Sequence, residues 1–493
     1  MTDYDAIVCG GGTAGPVVAS RLVEAGRSVL LLEAGPDYGA LAEGRWPADL
    51  LDARTIPVSH DWGYTVGDEL PGRELAYERA RVIGGCSAHN GCTVSWGHRA
   101  DYEGWAARGL EGWSADDLLP LFDEASARMR VRRFSDDEVA PFHRAFVEAG
   151  AAMGLEENDD LDTLDGGVGV CIEPSNSPDG VRWNAAFAYL DPVRDRPHLR
   201  VRGDTTVDRV IVERGRAVGV RAMGPLGVDE FRADVVVVCA GVYGSPAILL
   251  RSGIGPADEL RALGIDAIAD LPVGRNLHDH PSYELIFAPS DELARRTAAF
   301  EAAGHVVPDE QGFAKGEGGR AQAAGEPFDL HVFPEISMDG RLGVFVAMLT
   351  PRSRGALTLR DADPTSAPRI DHAFLTDPDH HDLEALVDGV ELARAFAATE
   401  PFASMLDREL EPGPVAPARH DLRDAVHAGV IHYWHPVGTC AMGSVTDADG
   451  HVLGVEGLVV ADASVMPVTP RATTNIPTVV VAERIARTLA GAA

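Results

Sequence analysis

One stretch near the N-terminus constrains this chain more than any other. Residues Tyr4 to Leu32 read as strand, glycine turn, helix, strand. DAIVCGGG is an apolar run ending in glycines. TAGPVVASRLVEAG carries Val17, Val18, Leu22 and Val23 on one helical face, and SVLLLEAG is a second apolar run closed by an acid and a glycine. Apolar runs on either side of a helical stripe mark a βαβ unit and therefore a parallel sheet. The turn holds Gly10-x-Gly12-x-x-Gly15, with Thr13 and Ala14 inside it. The first glycine permits the tight turn, the second lets the backbone meet a pyrophosphate, and the third lets helix and strand pack closely. The phosphate is expected on the helix N-terminus, where unpaired N–H groups point outward. Glu33, followed by Ala34, stands 21 residues after Gly12. An acid there accepts from an adenosine ribose hydroxyl and selects against a 2′-phosphate. A bound dinucleotide is expected; the βαβ unit alone leaves NAD and FAD open.

The chain has 493 residues, too many for one ordinary core. Leu199 to Ala222 alternates around a tight ERGR turn and reads as an antiparallel ribbon. ADVVVVCAG, ending at Ala240 and Gly241, returns a fully buried strand of the parallel type and leads into a helix. From Pro281 to roughly Arg419, short alternating segments predict a separate, mostly antiparallel sheet. Within it, GHVVPDEQGFAKGEGGRAQAAGEPF reads as a mobile or lid loop. GLVVADAS is one more buried strand, expected to rejoin the first sheet ahead of a final helix. Such interleaving points to a flavoprotein rather than a plain nicotinamide dehydrogenase.

Composition narrows the class. A formal net charge of −33 argues against nucleic-acid or anionic-membrane binding. Six cysteines contain no CxxC pair and no metal-ligand spacing, and Cys9 and Cys239 read as packed thiols in buried strands. MTDYDAIVCG enters a strand at once without a signal-peptide pattern, and no run approaches a membrane span. A reduced, cytoplasmic setting is the expectation. The residues specify no oligomeric state.

In this order, GGGTAG with LLLEAG, RVIGGCSAHNG, AGVYGSPAILLRSGIG, PVGRNLHDHP, HPVGTCAMG, ADASVMP and NIPTVVVAERIA resemble the glucose–methanol–choline (GMC) oxidoreductases, and most of all their choline oxidases. The resemblance implies an α/β enzyme with two domains. A Rossmann-like FAD domain of the GR2 type, a parallel sheet with an antiparallel ribbon, would be built from residues 1–150, 196–280 and 431–493. A substrate domain with a mostly antiparallel sheet covered by helices would be built from 151–195 and 281–430. It implies His435 as the catalytic histidine and Asn475 as the second active-site residue. It places Arg81, Gly84, Gly85, Ser87, Asn90 and Gly91 in the loop facing the flavin, with His89 as the point of covalent attachment or a contact beside the ring. Val207 would meet the adenine. Ala240, Gly241, Asp462, Ala463 and Pro477 would line the cofactor, with Asp462 and Ala463 near the pyrophosphate. His278 and His280 become a structural turn, and no metal is expected.

The chemistry of these residue types agrees with that assignment. A neutral imidazole at His435 can take an alcohol's hydroxyl proton near pH 7. Asn475 can donate an N–H to the developing alkoxide. A small-molecule alcohol is the expected substrate, with O2, giving hydrogen peroxide, or another electron acceptor as partner. Trp62 and Trp434 are candidates for the substrate pocket. From Ser282 to Leu349 there is no tryptophan, only Tyr283 and scattered phenylalanines, which does not read as an aromatic cage for choline. The favoured substrate is therefore a neutral primary alcohol, aryl, furfuryl or aliphatic. Choline-type or sugar oxidation, a dehydrogenase using another acceptor, and a lyase of the same fold stand as alternatives.

Overall fold

The computed structural model describes residues 3–66, 75–308, 310–336, 340–413 and 418–491. Two seven-stranded sheets dominate these residues. The first runs in the order Leu199–Arg202, Val29–Leu32, Tyr4–Cys9, Gly227–Val238, Arg216–Gly224, Thr206–Glu213, with Leu458–Val460 also paired to Gly227–Val238. The 12-residue strand Gly227–Val238 serves two structures. Its first part pairs antiparallel with Arg216–Gly224 in the ribbon. Its last part, VVVV, lies parallel between Tyr4–Cys9 and Leu458–Val460. The runs IVC, VLLL and LVV are buried on both faces, as central parallel strands must be.

The N-terminal helix Gly15–Glu24 and the C-terminal helix Asn475–Ala490 pack together beside this sheet. Two 2.7 Å hydrogen bonds from Arg21 to the fully buried Glu483 join them. Pro477 stands in the first turn of the terminal helix, where its missing N–H breaks no helical bond. Ala186 to Leu190 and Val193 are also part of this core.

The second sheet runs Leu406–Glu411, Pro281–Pro289, Leu342–Met348, Leu330–Ile336, Gly312–Gly316, Gly169–Ile172, with Ile431–His432 also on Pro281–Pro289. Every pairing in it is antiparallel. Helices Pro141–Ala152 and His381–Ala397 cover one face. The segment expected as a lid loop, 304–328, of which 309 lies outside the described residues, is partly regular: Gly312–Gly316 is an interior strand and Gly319–Ala324 a helix, with Phe313 and Phe328 fully buried, while 304–308 and 310–311 form neither helix nor strand. Gly312 and Gly316 serve close packing. A Cβ on Gly312 would stand 2.9 Å from the His143 carbonyl oxygen, and one on Gly316 2.7 Å from Leu392 Cδ2. No helix among the described residues is long and apolar enough to cross a membrane.

The helix–strand approach at Gly15 gives a direct test. A Cβ there would lie 1.9 Å from the Gly10 carbonyl oxygen, whereas one on Gly26, at φ +79°, meets nothing within 4 Å. Gly15→Ala is expected to cost about 3 kcal/mol or more and to reduce bound cofactor. Gly26→Ala is expected to cost about 1 kcal/mol, from backbone strain alone. Thermal melts with cofactor content measured by visible absorbance check both.

Candidate active site

The strand ending at Cys9, the strand ending at Val238 and the strand Leu458–Val460 finish side by side, and each runs into a motif: Gly10–Gly15, Ala240–Gly241 and Asp462–Ala463. Ligands of such sheets bind beyond the carboxyl ends of the strands. Gly10 takes φ +104°, with room for no Cβ because the Cys239 carbonyl oxygen would be 2.5 Å away. The loop 81–91 folds over this turn. Gly84 N–H donates to the Gly11 carbonyl at 2.7 Å, and a Cβ on Gly85 would stand 2.5 Å from Gly12 Cα. The N–H groups of Gly12, Thr13 and Ala14 find no acceptor among the described residues, nor do those of Asp462 and Ala463. Asn90 Oδ1 and both amide atoms of Asn475 are buried without a partner. A side-chain-free cradle, unpaired donors and orphaned amides fit a phosphate-bearing cofactor with a flat polar ring.

Several predicted cofactor residues also have protein partners. Glu33 accepts N–H bonds from Gly11 at 2.7 Å and Gly35 at 2.8 Å, one to each oxygen, which leaves each oxygen a second lone pair. Burial pushes its carboxyl up to about 7 against those two donors. Asp462 accepts from Gly241 N–H at 2.8 Å, the Ser245 hydroxyl at 2.5 Å and Ser464 N–H at 2.8 Å, so its side chain joins the segments that follow Gly227–Val238 and Leu458–Val460. The Ser87 hydroxyl donates to Gly84 O at 2.6 Å and accepts from Ala185 N–H at 3.0 Å, shaping the loop. Arg81 donates to Ala34 O at 3.3 Å. Val207 lies in the ribbon opposite Ala222. A Cβ on Gly91 would stand 2.8 Å from the Glu310 carboxylate. His89 is buried, with Nε2 2.8 Å from the Ser59 carbonyl. A carbonyl only accepts, so Nε2 carries the proton and Nδ1 the lone pair; burial holds this ring below its ordinary value.

The histidine centre is assembled by Asp279. Its Oδ1 accepts the backbone N–H of His280 at 2.7 Å and of His435 at 2.9 Å, while Oδ2 takes the Tyr77 hydroxyl. An antiparallel bridge between His278 and Val437 sets the same two segments in register. The His280 and His435 rings then meet edge-on, Nδ1 to Nδ1 at 3.2 Å. His280 Nε2 is 3.2 Å from the Thr469 hydroxyl, which is 3.4 Å from the Pro470 carbonyl. The Pro470 and Leu349 carbonyls are further acceptors for the His280 ring, and with its proton on Nε2 the three contacts are met together. Thr469 O–H donates to the carbonyl, its oxygen accepts from His280 Nε2–H, and His280 Nδ1 accepts from His435 Nδ1–H. His435 Nε2 is left with its lone pair and no protein partner among the described residues. Burial keeps both rings neutral, pulling His280 down to about 3 and His435 well below 6.5. His278 has both nitrogens in use, accepting from Thr469 N–H at 3.1 Å and donating to Asn276 O at 2.6 Å. Among the described residues no group of three or more His, Cys, Asp or Glu side chains converges as metal ligands.

Trp62 and Trp434 both border Arg79. Trp62 N–H donates to Arg79 O at 2.9 Å, and Arg79 donates to Trp434 O at 3.1 Å. The Trp434 indole N–H is held by Glu78 at 2.8 Å. The Trp62 ring lies under the Arg81 guanidinium at 4.9 Å and parallel to Tyr64, and both tryptophans remain exposed. Closer to His435 is Tyr433, at 4.3 Å between ring centres. Tyr77, Asp279, Thr469 and Tyr433 were missed by sequence reasoning. Asp279 stood in plain view inside NLHDHP, but only its position between two backbone N–H groups shows what it does.

Two family models, both described as GMC oxidoreductase, match residues 4–282 and 351–482. The chain is 30% identical over 520 residues to choline oxidase of Arthrobacter globiformis, covering 98% of this chain and 94% of that one. It is 33% identical over 565 residues to the chloroplastic fatty acid photodecarboxylase of Chlamydomonas reinhardtii, covering 99% and 91%. The fold superposes on pyridoxine 4-oxidase from Mesorbium loti with a TM-score of 0.87 at 28% identity, over 99% of both chains. The chain belongs to the GMC oxidoreductase family. It is an FAD-dependent oxidoreductase of the class that acts on CH–OH groups.

The buried neutral histidines make the fold acid-sensitive. His372, stacked between Tyr77 and Phe374, is held well below 6.5 by burial. In the unfolded chain it titrates near 6.5. Its contribution is fully present above that pH, and as pH falls below it the unfolded state alone gains the proton, so stability drops by up to about 1.4 kcal/mol per pH unit. His372→Phe is expected to flatten the decline of Tm between pH 6.5 and pH 5; a decline as steep as wild type would contradict the neutral assignment.

Proposed function

We propose that this enzyme oxidises a neutral primary alcohol to its aldehyde, with His435 as the base and O2 as the electron acceptor, yielding hydrogen peroxide. The observation that carries this reading is the Nε2 of His435, which has no protein partner among the described residues while its Nδ1 meets His280 Nδ1 at 3.2 Å. That nitrogen can take a hydroxyl proton, and the resulting imidazolium keeps its Nδ1–H directed at His280. Asn475, buried and unpartnered, has an amide N–H to give to the developing alkoxide. Bound FAD supplies the hydride acceptor. The Gly10–Gly15 turn, the loop 81–91 and the backbone of Asp462–Ala463 would hold it. An aryl alcohol agrees with the structural neighbour named for oxidising pyridoxine, itself an aromatic primary alcohol. His89 is our candidate for a covalent tether to the flavin.

Because His435 is neutral well below its ordinary pKa, kcat/KM is expected to stay level from pH 9 down to about 6.5 and to fall only in more acid solution. His435→Ala is expected to lower kcat by about 10²–10⁴-fold while the protein stays yellow. Wild-type turnover in that variant would remove His435 from the mechanism. For His89, acid precipitation should leave the yellow colour in the pellet; a fully yellow supernatant would reduce His89 to a non-covalent neighbour.

A further inference from the structure

Strand alternation gives the antiparallel sheet two unlike faces. In Leu330–Ile336, Leu330 and Val332 pack under the helices, while Phe333 and its same-face neighbour His331 point the other way. In Leu342–Met348, Val344 and Val346 face the helices and Phe345 and Ala347 the opposite side. The register sets Phe333 against Phe345, at 5.0 Å, with Phe313 at 4.5 Å from Phe333 on the next strand. Tyr433 completes the row, 5.7 Å from Phe333 and 5.4 Å from Phe345, and it touches His435. The phenylalanines that looked scattered in the sequence thus form one apolar wall ending at the reacting histidine.

Polar groups on this face are buried and unsatisfied. His331 is fully buried with neither ring nitrogen hydrogen-bonded, and the Tyr433 hydroxyl has no partner. Glu173 lies two residues beyond Cys171, which belongs to the same cluster as the phenylalanines, and its N–H continues the ladder to Gln311 O at 2.9 Å. Glu173 is fully buried, and neither carboxylate oxygen has a partner. Native folds seldom leave such groups unpaired unless something else pairs them. Lys315, on the same face, is already engaged by the Leu161 carbonyl and the Phe328 ring. Burial raises the Glu173 carboxyl far above its ordinary range, so near neutrality it is largely uncharged and gives a cation no counter-ion.

We propose that this face is the distal subsite of the alcohol site, and that it takes an aromatic primary alcohol carrying a hydroxyl or amino donor, with the ring on the Phe313–Phe333–Phe345–Tyr433 wall and the donor given to Glu173. This rests on the alcohol-oxidation reading above and narrows its substrate. A buried acceptor built for a donor discriminates strongly against the analogue that lacks it.

Binding of 4-hydroxybenzaldehyde, 4-methoxybenzaldehyde and benzaldehyde to the FAD-loaded enzyme, followed by flavin absorbance, tests the subsite independently of turnover. The hydroxy compound is expected to bind at least about tenfold tighter than either analogue. That preference should fall to about onefold in Glu173→Leu and largely survive in Glu173→Gln, which keeps an acceptor oxygen. Equal binding of all three by the wild type, or a preference unchanged in Glu173→Leu, would overturn the proposal. So would tighter binding of benzyltrimethylammonium than of the hydroxy compound, since the subsite would then be a cation site. If the binding preference holds but 4-hydroxybenzyl alcohol does not bleach the flavin anaerobically, the subsite stands and the alcohol-oxidation reading fails.

Discussion

The structure depends on the parallel pairing of three segments remote in sequence. Tyr4–Cys9, the last part of Gly227–Val238 and Leu458–Val460 lie adjacent, and their carboxyl ends finish together. Pairing at full burial leaves no slack in register, since a slipped strand would leave buried backbone groups unbonded. The glycine turn after Cys9, Ala240–Gly241 and Asp462–Ala463 are thereby brought to one place. Asp462 then ties two of these ends together by accepting from Gly241, Ser245 and Ser464. The cradle is a by-product of strand pairing, made usable because Gly10, Gly15 and Gly85 contribute no side chains to it.

A second linkage positions the histidine pair. Asp279 holds the backbone N–H groups of His280 and His435 on one carboxylate oxygen, so two motifs separated by over 150 residues present their imidazoles to each other. Burial does the rest. It raises the carboxyl groups of Glu33 and Asp279, to about 7 and about 6, and depresses His280 and His435. A neutral ring next to a neutral ring is the arrangement in which a single lone pair can be left over for a substrate proton.

Much of this was legible in the chain. The βαβ unit, the ribbon from Thr206 onward and the return of GLVVADAS to the first sheet followed from apolar runs and turns, because a strand buried on both faces has few ways to be written; Leu199–Arg202, read as part of the ribbon, instead pairs parallel with Val29–Leu32. The antiparallel sheet was legible as a class. Its segment 304–328 was not, because Gly312 and Gly316 look like loop residues until the helices lying against them are in place. The aromatic wall was hidden for a related reason. LHVFPEI and GVFVAM each show one phenylalanine, and only the Phe333–Phe345 register stacks them.

By itself, then, the sequence determined local matters: where strands and helices begin, which turns need glycine, and which histidine and asparagine types could do proton and hydrogen-bond chemistry. These depend on neighbours within a few residues. Tertiary structure alone decided which nitrogen of His435 faces His280, which oxygens of Glu33 and Asp462 are already in use, and which buried groups, such as Glu173, His331 and Asn475, are left without partners. Those are properties of contacts between distant segments, and a hydrogen bond is assigned only when both of its ends are in place.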